Sequence, residues 1–517
     1  MSFHWKVLAW MLAGVLCGLG LQYGTDGTAW SGATFEAPPS GGLVVSSATG
    51  PAAKAGLSKG DVVGELVLFR GSEEEERVTL TTPEDFAGAL ERSGVGDVVW
   101  AHMGAPGHSD GPAEKPLAIN LKLDPSSTRA AILAPFQFVA DIFMALLKML
   151  IVPLILTSII TGVAGVGAMK DLRRLGGKTF AYYITTSLLA VLLGQVLVTI
   201  MRPGVGASLG LSALESGDVA PEASFIAVLK RMVPTNIFDS LGDNGSMLSV
   251  IFFALIFGAF ITRAGAPHKE RMTEFFESAY AVMIKMAEGI LALLPYGVFC
   301  LLIGVVAGTG FGVFKPLLLY MLTVLIALIL HACVTLPLVL KFVGKVSPRR
   351  WFTAMSPALM TAFSTSSSSM TLPVTLDTVE KRGGASNKIA SFTLPLGATI
   401  NMDGTALYEC IGVVFLAQYY QSTGQFELTW AMQGTVVVMA LLASIGAAGI
   451  PSAGLVMMLT ILTTLGLPVE GAALILAVDR PLDMLRTVVN VWSDSCGAAV
   501  IASSEGELAP EGAIAGG

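Results

Sequence analysis

The sequence predicts an all-α polytopic membrane protein with inverted repeats: eight apolar spans, two interrupted hairpins and one small β-rich domain inserted near the start. Three observations predict it. Of 517 residues, 53% are hydrophobic and only 13% charged, with mean hydropathy +0.70, whereas a soluble domain carries about 25% charge. Apolar runs of the roughly 20 residues that cross a bilayer recur along the chain. A single polar, turn-rich stretch, 35–125, interrupts them.

Residues 5–22 are apolar behind Lys6 and lack an A-x-A cleavage site, so they read as a first transmembrane helix within 1–30. The stretch 35–125 carries the acidic run Glu73–Glu76. Its "GGLVVSSATGPAAKAGLSKGDVV" resembles the start of a bacterial PDZ domain. The resemblance implies that "GLVV" is the peptide-docking edge strand and "TPEDFAGALE" the groove helix. Such domains capture extended peptides by adding a strand to a sheet edge; a degenerate copy used only for packing or assembly is the alternative.

Beyond residue 130, spans are expected at 134–166, 179–201, 225–262, 273–306, 316–342, 389–418 and 468–502. These divide into helices two to six (130–345) and a core (346–505), followed by a flexible tail (506–517). Lys170, Arg173, Arg174 and Lys178 share one loop; Arg263, Lys269 and Arg271 another; Lys341, Lys345, Arg349 and Arg350 a third. The intervening loops 203–224 and 419–430 have no Lys or Arg. Positive loops stay cytoplasmic. Both termini are therefore expected in the cytoplasm and the insert outside, periplasmic in a Gram-negative inner membrane.

Two stretches, 352–375 and 431–464, are apolar but broken by Gly, Ser and Pro. They contain "STSSSSMTLPVT" (Ser364–Thr375) and "LLASIGAAGIPSAGLVMM". Paired Gly/Pro-interrupted segments in two halves point to a transporter binding site. Each alone fits equally a re-entrant hairpin or two helices packed through small residues. Pro373 is expected to limit regular helix beyond the first tip.

The helices that follow decide between these. "LGATINMDGTALYE" surrounds Gly404 with Asn401, Asp403 and Thr405, and an unwound "NMDG" offers carbonyls and a carboxylate to a hard cation. "DRPLDMLRTVVNVWSDS" sets Asp483, Arg486, Thr487, Asn490 and Asp494 on one helical stripe. Charges inside a membrane are costly and mark function. Arg486 suits a substrate carboxylate through two parallel hydrogen bonds, Asp483 an ammonium, and Asp494, deeper, a metal ion.

Other chemistries find little support. A net charge of −7 without a basic stripe argues against nucleic acid. Cys17, Cys300, Cys333, Cys410 and Cys496 have no CxxC spacing, so neither zinc nor a disulfide framework is indicated. The chain has no HExxH, which leaves an intramembrane protease with only the serine run and His331. His331 reads as a packed, hydrogen-bonded residue. No enzyme is expected.

Together "LLKMLIVPLI", "YYITTSLLAVLLG", "VPTNIF", "SSSSMTLPVT", "SFTLPLGATINMDGTALYE", "ASIGAAGIPSAG" and "RTVVNVWSD" resemble the glutamate transporter family of sodium-coupled dicarboxylate and amino-acid symporters. The resemblance implies a homotrimer whose protomers have eight transmembrane helices, two re-entrant hairpins and a transport domain that moves like an elevator. It implies a substrate site of Ser367, Ser368, Thr405, Ile450, Gly454, Asp483, Arg486, Thr487 and Asn490. It implies three sodium sites: Gly397, Asn401, Asn490 and Asp494; Thr399, Ser444, Ile445 and Ala447; and Tyr183, Thr186, Ser187, Asn401 and Asp403. All-oxygen sets suit a hard monovalent cation. Sodium is then a co-transported ligand and no cofactor is expected. Arg486 and Asp483 together favour aspartate or glutamate, with a C4-dicarboxylate the alternative. Glu409 stands where animal glutamate carriers have a Glu associated with proton and potassium coupling, so it is the expected proton carrier, or else a Glu satisfied within the protein. Archaeal members put an Arg near Ser366 and animal members one at Met484; this chain has neither, and Arg480 lies one turn before Asp483.

Overall fold

The computed structural model describes residues 3–38, 42–68, 75–104, 116–166, 173–207, 209, 232–243, 246–423, 426–446 and 453–510. Helix α1 (Phe3–Gly24) leads into the sheet domain. The strands are β1 (Ala29–Trp30), β2 (Ala33–Glu36), β3 (Leu43–Ala48), β4 (Val62–Leu68), β5 (Glu76–Thr79), β6 (Val98–Met103), β7 (Leu117–Asn120) and β8 (Lys122–Leu123). Helix α2 (Gly50–Lys54) follows β3, and α3 (Pro83–Arg92) follows β5.

The six-stranded sheet runs β2-β3-β4-β6-β7, with β5 also on β4. The "GLVV" strand is therefore interior, flanked by β2 and β4, and β2 is the edge. The sequence reading started the insert at 35 and so split the short strand that covers it. Helix α3 does form over "PEDFAGALER". Thr82 and Asp85 make a reciprocal capping box there. The Thr81 hydroxyl and the N–H groups of Thr82 and Thr81 pull the Asp85 carboxyl down to about 2. Leu43, Val63, Leu66, Leu80 and Ile119 are fully buried in a core separate from the helical ones.

Strands β1 and β8 pair antiparallel, Trp30 with Lys122, and bring the two ends of the insert side by side. Just beyond them Arg129 fastens three segments. Its guanidinium donates to the carbonyls of Gln22 (2.7 Å), Thr25 (2.5 Å) and Ala307 (3.1 Å). The Asp26 carboxylate supplies a nearby counter-charge, so this buried cation is both hydrogen-bonded and charge-compensated.

The remainder is helical. The elements are α4 (Thr128–Val166), α5 (Arg173–Met201), α6 (Ile237–Gly242), α7 (Met247–Ile261), α8 (Ala266–Leu291), α9 (Leu294–Thr309) and α10 (Phe314–Leu330). A π-helical turn, His331–Thr335, joins α10 to α11 (Leu336–Phe342). Then come α12 (Pro348–Thr365), α13 (Ser368–Lys381), α14 (Asn387–Ile400), α15 (Asp403–Ser422), α16 (Trp430–Gly446), α17 (Ala453–Thr464) and α18 (Glu470–Glu505).

Four helical stretches among the described residues are long and apolar enough to cross a membrane: Thr128–Ala164, Arg174–Met201, Leu294–Phe342 and Asn387–Ser422. Leu16, Ile200, Val282 and Phe342 are each 65–70% exposed, a surface that lipid covers and water would not. The chain is a helical, multi-pass membrane protein carrying one small sheet domain.

Three expectations differ. The described part of 225–262 holds two separate helices, α6 and α7, with Asp243 extended after α6. The run 273–306 is two helices, α8 and α9, parted at Ala292–Leu293 with Pro295 in the first turn of α9. A proline is tolerated there because its missing N–H would have no partner anyway. Pro373 does not limit α13, which runs through it to Lys381. Hydroxyls of Thr371, Thr375 and Thr378 return to carbonyls four residues back (2.8, 3.1 and 2.6 Å), which satisfies these buried side chains within the helix. Residues at the start of the expected tail are tied down: Ser386 donates to the Glu507 carbonyl at 3.0 Å and Ala509 to that of Gly384 at 2.8 Å.

Candidate functional site

The site begins where the helix of 389–418 breaks. Asn401 (φ −100°, ψ 76°) and Met402 (φ −109°, ψ 61°) are non-helical, and Asp403 opens α15. Asn and Asp side chains compete with the backbone for hydrogen bonds and so favour such breaks. A carboxylate in a first helical turn also meets the positive end of the dipole. The unwound "NMDG" is present, confined to two residues.

Asp403 is fully buried and fully engaged. Its Oδ1 accepts from the Ser187 hydroxyl at 2.6 Å, with Thr186 Oγ1 at 3.4 Å. Its Oδ2 accepts from Ser493 at 2.6 Å and faces His331 Nε2 at 3.1 Å. Asn401 donates to Asp494 Oδ1 at 2.9 Å and to Ser493 at 3.0 Å, and accepts from Thr186 at 3.3 Å. Tyr183 donates to the Thr393 carbonyl at 2.7 Å. A Cβ on Gly397 would stand 2.5 Å from Asp494 Oδ1 and 2.7 Å from the Tyr183 hydroxyl. The structure thus gathers Gly397, Asn401, Asp494, Tyr183, Thr186, Ser187 and Asp403 into one oxygen-lined knot.

The second expected set is more dispersed. Thr399 sits near the end of α14, and Ser444 and Ile445 near the end of α16, which packs on α14. Ser444 is buried and its hydroxyl bonds the Leu441 carbonyl at 2.8 Å. Ala447 and Ile450 lie outside the described residues.

On α18, Arg480 donates to Asp483 Oδ2 at 3.0 Å, and Arg486 donates to Asp483 Oδ1. Asp483 thus holds two guanidinium groups in the buried interior, where charges need partners. Arg486 is 2% exposed, yet its Nε and Nη1 have no hydrogen-bond partner among the described residues. Its guanidinium lies 5.0 Å from the Tyr408 ring centre, a cation–π distance. Gly454 approaches so closely that a Cβ would fall 1.9 Å from Arg486 Nη1 and 3.3 Å from Thr405 Cγ2. Asn490 donates to Thr405 Oγ1 at 3.0 Å and accepts from Gly404 N–H at 2.8 Å. The Thr487 hydroxyl returns to the Asp483 carbonyl at 2.8 Å.

Ser367 caps α13, its hydroxyl accepting from Met370 N–H at 3.2 Å. Ser366 makes the tip in a left-handed conformation (φ 51°). Helices α12 and α13 both pack on α18, so the hairpin leans on the striped helix. Ser367 and Ser368 are buried at this tip. Glu409 is fully buried on α15, and neither carboxyl oxygen has a hydrogen-bond partner among the described residues.

His331, expected as a packed, hydrogen-bonded residue, finds its partner in Asp403, which the sequence did not identify. Sequence reasoning missed two further contributors. Ser493 bridges Asp403 and Asn401 and was visible beside Asp494 in "VWSDS". Asp479 accepts from the Tyr408 hydroxyl at 2.6 Å and lies one turn before Asp483, on the stripe already recognised.

Residues 119–504 match the family model described as the sodium:dicarboxylate symporter family. The chain is 35% identical to human excitatory amino acid transporter 3 over 417 residues, covering 71% of this chain and 78% of that protein. It is 35% identical to rat excitatory amino acid transporter 2, covering 70% and 72%. It is 34% identical to the proton/glutamate-aspartate symporter of Escherichia coli K12, covering 72% and 86%.

Proposed function

The chain belongs to the sodium:dicarboxylate symporter family, and from that premise we propose that it couples inward sodium movement to uptake of aspartate or glutamate. It is a transporter, not an enzyme. The observation that carries the substrate reading is Arg486: a buried guanidinium with two unengaged donors beside an aspartate. Charge-assisted, paired hydrogen bonds from arginine suit a carboxylate. Asp483 then turns to the substrate ammonium while Arg480 keeps hold of its other oxygen. The serines at the start of α13 and the Asn490 amide receive the second carboxylate. Their helix end favours an anion.

The oxygen knot around Asp403, Asn401 and Asp494 supports two sodium sites, one with Tyr183, Thr186 and Ser187 and one with Gly397 and Asn490. The third joins Thr399 to Ser444, Ile445 and Ala447, so that the second hairpin closes on the ion. The architecture belongs to the same proposal: eight spanning helices, re-entrant hairpins α12–α13 and α16–α17, a homotrimer, elevator movement, cytoplasmic termini, no resident cofactor and a PDZ-like insert outside. A proton is a further coupled ion, favoured by the unpartnered carboxyl of Glu409.

Uptake of radiolabelled aspartate, glutamate and succinate into proteoliposomes, with and without a sodium gradient, tests this. Concentrative aspartate or glutamate uptake that needs sodium is the expected result. Concentration without any ion gradient overturns the symport reading. Preference for succinate overturns the role given to Asp483.

A further inference from the structure

Away from the transport site, a cavity of about 1240 Å³ opens where α11, the link to α12 and α12 itself face α18. Trp492 and Val488 of α18 and Phe352 of α12 line its apolar side. The Trp492 indole donates to the Ala332 carbonyl at 3.1 Å and packs edge-on against Phe352 at 5.6 Å. Lys341, Lys345 and Arg349 line the rest. No ion pair to any of the three is present among the described residues. No Asp or Glu occurs anywhere from 316 to 376, so the segment that carries these cations holds no acid of its own. The N-terminus of the 18-residue α12 also opens here and adds partial positive charge.

A second groove of about 420 Å³ continues from the first, sharing Phe352 and Leu359. It runs along one face of α12 past Ser356, Met360 and Phe363. Phe352, Met360 and Phe363 are 56%, 72% and 43% exposed. A basic, polar-mouthed cavity therefore leads into an exposed apolar track along α12.

We propose that this cavity seats the phosphate headgroup of an anionic phospholipid from the cytoplasmic leaflet, with an acyl chain along α12. The unpaired cations select a negative headgroup, and basic pockets between helices on this side of a membrane bind such groups. The apolar track selects a lipid over a soluble phosphate. The seated lipid ties α11, α12 and α18 together.

The test uses the full-length protein in a neutral detergent and native mass spectrometry, titrating phosphatidylglycerol and phosphatidylcholine with the same acyl chains. Phosphatidylglycerol is expected to bind in preference. Each juxtamembrane cation contributes about fivefold, so the triple variant Lys341→Gln, Lys345→Gln, Arg349→Gln should weaken it about 100-fold. Thr353→Trp, which fills the cavity and keeps its charges, should weaken it too, and it serves if the triple variant fails to fold. Equal affinity for both lipids, or unchanged phosphatidylglycerol binding in a folded variant, overturns the proposal. Displacement of the lipid by inorganic phosphate also overturns it and makes this a soluble-anion site.

Discussion

Nε2 of His331 lies 3.1 Å from Oδ2 of Asp403, and both side chains are fully buried. The histidine comes from the π turn and the aspartate from the unwound break, so two irregular backbone segments meet through one contact. His331→Ala removes one of the carboxylate's partners. A hydrogen bond to a charged group is worth about 1.5–3 kcal/mol, so the sodium concentration giving half-maximal uptake should rise about tenfold or more. His331→Gln, which can still donate, should recover most of it. Sodium titration of aspartate uptake reads both. Unchanged sodium dependence in both would mean that Ser187 and Ser493 hold Asp403 alone.

Arg486→Lys keeps the charge but loses the fork. Replacing two directed donors with a point charge should lower aspartate affinity about 10- to 100-fold. Competition binding in detergent measures it. Affinity within the error of the parent would remove Arg486 from the substrate site.

Gly397→Ala places a methyl 2.5 Å from Asp494 Oδ1 and 2.7 Å from the Tyr183 hydroxyl. Overpacking of this kind costs about 1–3 kcal/mol, and here it falls on the oxygen knot. Protein yield should be retained, while sodium-driven uptake drops sharply and needs more sodium. Normal sodium dependence would place the first cation site elsewhere.

Glu409→Gln tests proton coupling. If the carboxyl must carry a proton to cross, acidifying the outside fills it and raises uptake by the parent protein. The glutamine variant cannot titrate, so its uptake should be flat with external pH at a fixed sodium gradient. A pH profile that survives the substitution would remove Glu409 as carrier.

Excising residues 31–121 tests whether the sheet domain takes part in transport. Trp30 already faces Lys122, so a linker of about four residues can join the strands that remain. Arg129 and its three carbonyl partners stay in place. Sodium-dependent uptake per folded molecule should be unchanged. Loss of uptake from a folded variant would make the insert part of the cycle.

What was legible followed from chemistry that stands out locally. The stripe on α18, the break at Asn401–Met402 and the small-residue turn between α12 and α13 each contrast with an oily background. What was not legible lay where apolar composition continues across a change of backbone. Nothing in hydropathy marks Ala292–Leu293, because both flanks are equally apolar. Strand β2 is four residues long, too short for its alternation to register. His331 looked solitary because Asp403 approaches it from 72 positions away, and no periodicity within one helix reports a contact between two.

The π turn at His331–Thr335 amounts to one surplus residue in an otherwise α-helical rod. Its removal would restore unbroken winding and leave the flanking turns in their present phase, because a π turn absorbs the extra residue locally. The Ala332 carbonyl would return to the helix ladder and leave the Trp492 indole behind. A single codon deleted from the turn should therefore disturb the cation knot, through His331, and the basic cavity, through Trp492, together.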